Sequence, residues 1–195
     1  MTQNTTQIPG DVGLIFHQLY SEYLGISEVW FVYTGIYSKS KEQFLQLYAV
    51  SPGFFRCLLG LLQHDLALRI CRLTDNYSPR FNRMSFPQLI NTIQNQGDIQ
   101  LAQELQLMCD QLKIDSKGLR DYRNERVAHN DFTSLAASAV YTITGTTNDV
   151  VAKIRQDMYS MLNKVNHFYA PEMILGDAIN WKHEEPIIDK LLTSE

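Results

Sequence analysis

Cysteine is scarce in this chain of 195 residues: there are three, Cys57, Cys71 and Cys109. An odd number, each inside a helical pattern, argues against a disulfide framework and predicts reduced, buried thiols in a cytoplasmic protein. No pair has zinc-site spacing and the five histidines are scattered, so no metal and no cofactor are expected. Also missing is any window of roughly 18 uninterrupted apolar residues, the length a membrane helix needs. The most apolar stretch, Phe54 to Leu62, is broken by Arg56 and followed by His64 and Asp65. No basic residue and no apolar run precede Gly10, so the N-terminus does not read as a signal peptide. Internal repeats and low-complexity segments are absent as well. The expectation is one domain with no membrane segment.

Net positive charge is lacking too. The formal net charge is -4, which argues against a nonspecific polyanion binder. The balance is uneven: -2 over residues 1–55, +1 over 56–131 and -3 over 132–195. Between Arg56 and Arg83, the arginines at 56, 69, 72, 80 and 83 face only Asp65 and Asp75. A local anion site there is compatible with this pattern; a broad nucleic-acid platform is not.

What is abundant is helical periodicity. Leu14, Ile15, Leu19, Tyr23, Ile26, Trp30, Tyr33 and Tyr37 recur at three- and four-residue steps, which predicts a long helix opened by Asp11. A short helix is expected over Lys41 to Ala49. Ser51-Pro52 suits the cap and first position of a helix running to about Thr74, apolar on most sides and therefore central. Ser85 caps a helix to about Gln94, Asp98 opens another to about Leu112, and Asp115 or Ser116 begins one through Val127. Ala139 to Thr144 reads as loop or irregular helix. Thr146 or Thr147 starts a last long helix to about Tyr169, with Met158, Met161 and Phe168 on its apolar face. The fold class is all-α, an antiparallel helical bundle. Residues 1–10 read as a flexible tail, 11–169 as the bundle and 170–195 as an extension ending in a short helix.

The segment from Leu119 to Asp131 stands apart. Arg120, Arg123 and Arg126 drift around one side of a helix that ends in His129-Asn130-Asp131, a group that favours turns. Arg123 and His129 join a permanent guanidinium to an imidazole that titrates near neutral pH. Such a pair suits phosphodiester chemistry: the arginine binds phosphate and stabilises developing charge, and the histidine moves the proton. A structural reading stands beside it, in which a helix-terminal histidine satisfies carbonyls and the helix dipole. Asp75 either orients Arg123 or His129, or caps the following loop. Arg69 and Arg72 either extend an anion site or form local pairs such as Asp65–Arg69. Arg120 and Arg126 are expected to be solvated or paired with Asp121 and Glu125, and His64 to be a core residue.

Arg123-Asn124 with Val127-Ala128-His129-Asn130-Asp131 resembles the motif of the HEPN superfamily: an arginine, a polar residue, then a histidine. Upstream, Arg72-Leu73-Thr74-Asp75 closing a helix, then a loop into Met84-Ser85-Phe86, is similar to the second motif of the abortive-infection AbiU-like branch. The resemblance covers roughly Asp11 to Asn166. It implies a homodimer with metal-independent endoribonuclease activity, the two Arg/His segments meeting across the interface. On it, His129 transfers protons, Arg123 binds the phosphate, and Asn124 orients the substrate or His129; Asp75, Arg72, Arg126 and Asp131 support them. It further implies a toxin or phage-defence role, with a cognate antitoxin or nucleotidyltransferase as a partner. Two rivals remain: a non-catalytic HEPN module binding a nucleotide, RNA or a protein, and a helical scaffold whose Arg and His merely staple an interface.

Overall fold

The computed structural model describes residues 8–37, 41–77, 84–124 and 148–176. Seven helices occur among them, and no strand: α1 Gly10–Tyr37, α2 Lys41–Val50, α3 Pro52–Thr74, α4 Phe86–Asn95, α5 Ile99–Asp115, α6 Lys117–Tyr122 and α7 Asn148–Tyr169. Helix α1 packs on α3, α4 and α7; α5 packs on α4 and α7; α6 sits on α3 and α5. The expected all-α bundle is what forms. Among the described residues no single helix is long and apolar enough to cross a membrane.

The helices meet along the predicted stripes. Phe16, Leu19, Tyr23 and Ile26 of α1 join Leu66, Ile70 and Leu73 of α3, Leu105, Cys109 and Leu112 of α5, and Ile154, Met158, Met161 and Leu162 of α7 in one core. Each such side chain contributes about 1.5–3 kcal/mol by leaving water. Trp30, Tyr23, Met158 and Met161 are core, as expected. Leu14 and Phe168 are exposed instead; Leu14 lies on the side of α1 away from Val12, Phe16 and Leu19.

Helix α3 departs from expectation. Phe54 and Leu61 are 59% and 60% exposed, and burial begins only at Gln63. The bundle grips the C-terminal half of α3, through Leu66, Ala67, Ile70, Cys71, Leu73 and Thr74. The N-terminal half carries α2 and displays Cys57, so that thiol is exposed while Cys71 and Cys109 are buried.

Helix ends fall close to the expected residues, but the caps work differently. Ser51, Ser85, Asp98 and Ser116 all occupy N-cap positions, and none makes a side-chain capping bond. Asp98 instead accepts the Tyr169 hydroxyl, tying the start of α5 to the end of α7. Burial, and then that contact, raise the Tyr169 pKa. Helix α4 is closed by Gly97, two residues past its last residue, whose φ of 98° is open to glycine; Gly97 N–H donates to Gln94 O at 3.1 Å and Asp98 N–H to Ile93 O at 3.4 Å. This double closure turns the chain directly into α5.

The outer boundaries shift. Helix α1 starts at Gly10, not Asp11, and Ile8 of the expected loose tail is buried. At the other end Leu175 is buried, and the Gly176 carbonyl accepts Tyr20 Oη at 2.8 Å, so residues 170–176 close the bundle instead of leaving it. The expected segments Ala139–Thr144 and Pro186–Leu192 lie outside the described residues.

Candidate functional site

The site is built where α3 stops. Thr74 is fully buried and its hydroxyl donates back to Ile70 O at 3.0 Å, closing the last turn. Asp75 follows as the C-cap in extended conformation, φ -63° and ψ 146°. Leaving the helix there brings its carboxylate against α6, which lies on α3.

Two arginines converge on that carboxylate. Arg123 Nη1 donates to both Asp75 oxygens, at 3.1 and 3.2 Å, and Arg120 Nη1 donates to Oδ1 at 3.2 Å. Arg120 Nη2 also reaches Thr74 Oγ1 at 3.1 Å and Ser116 Oγ at 3.3 Å. The three charged side chains are only 20–25% exposed, so their attraction is less screened than at the surface. Among the described residues, one carboxylate thus faces two guanidiniums. Asp75 stands both as the C-cap of α3 and as the anion that faces Arg123. Arg120, in contrast, is neither solvated nor paired with Asp121; Asp121 pairs with Lys117 at 2.6 Å. Three-residue spacing on α6 put Arg120 and Arg123 on one face, and that spacing was the available signal.

Arg123 and Asn124 continue α6 in a wider, π-type turn. Asn124 is exposed, and its Oδ1 accepts Arg123 Nε at 3.2 Å. The guanidinium is therefore gripped on two sides, by Asp75 and by Asn124. Such fixing lets arginine present its remaining N–H groups without first losing side-chain freedom. Arg126, His129 and Asp131 lie outside the described residues.

Arg123 and Asp75 line a groove of about 620 Å³ with Leu68, Arg69 and Arg72 of α3, Glu22 of α1, and Met84. Arg72 Nη2 donates to Glu22 Oε2 at 3.0 Å, and Arg69 bridges Glu22 and Asp65 at 3.3 and 2.8 Å. The structure thus brings Arg123, Asp75 and Arg72 to one groove, with Asn124 beside it. Glu22 went unnoticed in the sequence because it approaches from another helix.

Behind the groove, Cys71 is buried beside the cluster. Burial raises its thiol pKa, against an opposing pull from Arg123 and Arg120, and burial carries that of Cys109 up to about 11. Both thiols stay protonated at neutral pH and are poor nucleophiles. Among the described residues no three His, Cys, Asp or Glu side chains converge as metal ligands do.

His64 is half-buried against the Tyr122 ring, centroids 5.6 Å apart, immediately before Arg123. Burial lowers its pKa below the ordinary 6.5, so the folded state prefers neutral imidazole. The unfolded chain then binds more protons as pH falls past about 6.5, and the stability His64 contributes is lost as pH drops through its folded value. Thermal melts between pH 7 and pH 5 are expected to fall more steeply for the wild type than for His64→Gln. Equal slopes would assign the loss to other groups.

Residues 10–167 match the family model for AbiU2 HEPN proteins. No curated protein and no solved structure matches the chain.

Proposed function

The chain belongs to the AbiU2 family of HEPN proteins, and from that membership we propose that it is a metal-independent endoribonuclease acting as a homodimer. The observation that carries this reading is the seating of the motif arginine: Asp75, from the second motif, holds Arg123 by two hydrogen bonds at the rim of a groove. In the reaction, an RNA 2′-oxygen attacks the adjacent phosphorus and the bond to the 5′-oxygen breaks. The products are a 2′,3′-cyclic phosphate and a 5′-hydroxyl. The 2′-hydroxyl loses its proton and the departing 5′-oxygen gains one; His129 carries these transfers, with the second copy's motif completing the site. Arg123 binds the phosphate and offsets its growing charge. Asn124 orients the substrate or His129, Arg72 and Arg126 help bind the substrate, and Asp75 and Asp131 support the arginines and His129. A toxin or phage-defence role in the cytoplasm, held in check by an antitoxin or nucleotidyltransferase, fits this activity.

The apolar surface outside the bundle supports the dimer. Leu45 and Val50 of α2 are exposed, as are Phe54 and Leu61 of α3, and large apolar side chains left in water on two adjoining helices favour a protein partner. Light scattering at micromolar concentration is expected to give the mass of two chains; a monomer would rule out a composite site.

A second reading, a non-catalytic HEPN module that binds RNA or a nucleotide, is favoured by the internal pairing of Arg69 and Arg72 with Glu22. Incubation of purified protein with mixed RNA in EDTA separates the two. Fragments with cyclic-phosphate ends support the nuclease. Intact RNA retained on the protein supports the binding module, and RNA neither cut nor bound contradicts both.

A further inference from the structure

Arg69 and Arg72 converge on a single oxygen, Glu22 Oε2, at 3.3 and 3.0 Å. Two guanidiniums on one anionic oxygen is also how paired arginines hold a phosphate oxygen. The arrangement is built in. Asp65 fixes Arg69 Nε at 2.8 Å. On α1, three residues beyond Glu22, Gly25 leaves room for Arg69: an added Cβ would lie 2.8 Å from Arg69 Nη1. Arg72 is 55% exposed and, among the described residues, donates from Nη2 alone, so further N–H donors remain for a ligand. Both arginines line the groove that holds Arg123.

We propose that Arg69 and Arg72 form a second phosphate subsite of this groove, and that the Glu22 carboxylate occupies it while the groove is empty. A backbone phosphate neighbouring the one at Arg123 takes the place of the carboxylate. This deepens the ribonuclease reading and rests on it. The internal carboxylate acts as a competitor. A lone phosphate must displace Glu22 with nothing else gained, whereas a chain already anchored at Arg123 presents its next phosphate at high local concentration. That selects polyanionic strands over single anions, in a chain whose net charge is -4.

The test uses two probes on the full chain: a short 2′-O-methyl RNA, which lacks the attacking hydroxyl, and inorganic pyrophosphate. Glu22→Gln is expected to tighten both by about tenfold, since it removes the competing charge. Arg72→Ala is expected to weaken both, to lower the salt slope of RNA binding by about 0.7, and to shrink the gain from Glu22→Gln. Unchanged or weaker affinity in Glu22→Gln, with helical circular dichroism retained, overturns the proposal. RNA binding that falls in Arg123→Ala yet ignores Glu22→Gln and Arg72→Ala also overturns it, while sparing the ribonuclease reading. Pyrophosphate following the expected pattern with no RNA bound has the opposite meaning: the subsite stands and RNA is the wrong ligand. No binding of either probe sinks both.

Discussion

Arg123→Ala is expected to lower RNA cleavage by about 10²–10³-fold, the usual loss when one donor to a developing oxyanion is removed. The helical circular dichroism should not change. Asp75 still pairs with Arg120 at 3.2 Å in the variant, so no carboxylate is left without a counter-charge. Arg123→Lys should recover only part of the rate. An ammonium cannot donate in one plane to both Asp75 oxygens and to Asn124 as this guanidinium does. His129→Ala is expected to cost about 10²–10⁴-fold through loss of proton transfer. Full recovery with lysine, or cleavage indifferent to Arg123, would show that the phosphate is held elsewhere.

The second large effect is at Asp75, and it differs in kind. Asp75→Ala leaves the guanidiniums of Arg120 and Arg123 three residues apart on α6, about a quarter exposed each, with no anion between them. Breaking a fully buried pair costs about 3–5 kcal/mol. Here the partial exposure lets water repay some of that, so a loss of about 1–2 kcal/mol is expected. At this chain length each kcal/mol lowers Tm by about 2–4 °C. Cleavage should fall as well, by tenfold or more, because an arginine misplaced by about 1 Å costs up to roughly 10² in rate. Asp75→Asn should fall between, since it keeps an acceptor oxygen but not the charge. A stable variant with full activity would make Asp75 a mere loop cap.

Much of this was legible in one dimension. Three- and four-residue apolar spacing named the core faces of α1, α5 and α7, because helical packing repeats with the helix itself. Arg123 and Asp75 stood out as motif residues, and the structure brings them within 3.2 Å of each other. What was hidden depended on pairs distant in sequence. Glu22 meets Arg72 across 50 positions, and Arg120 meets Asp75 across 45. The three-residue spacing sets Arg120 beside Arg123, but nothing local names Glu22 or Asp75 as a partner, so in sequence Arg120 reads as a solvated or locally paired helix charge. The exposure of Phe54 and Leu61 was hidden for another reason. Apolar composition tells that a face will be covered, but not whether the same chain or another covers it. The capping residues show a third limit: Ser85 and Asp98 mark helix starts correctly, while their side chains are left unbonded or bonded elsewhere.

The central claim is that Asp75 serves the site by holding Arg123 as the phosphate-binding group. The most direct test is the affinity of a short 2′-O-methyl RNA for the wild type, Asp75→Ala, Arg123→Ala and the double variant. The account predicts that each single change weakens binding and that the double variant binds no worse than Arg123→Ala, since Asp75 acts through that arginine. Losses that simply add would contradict it, placing Asp75 and Arg123 in independent roles.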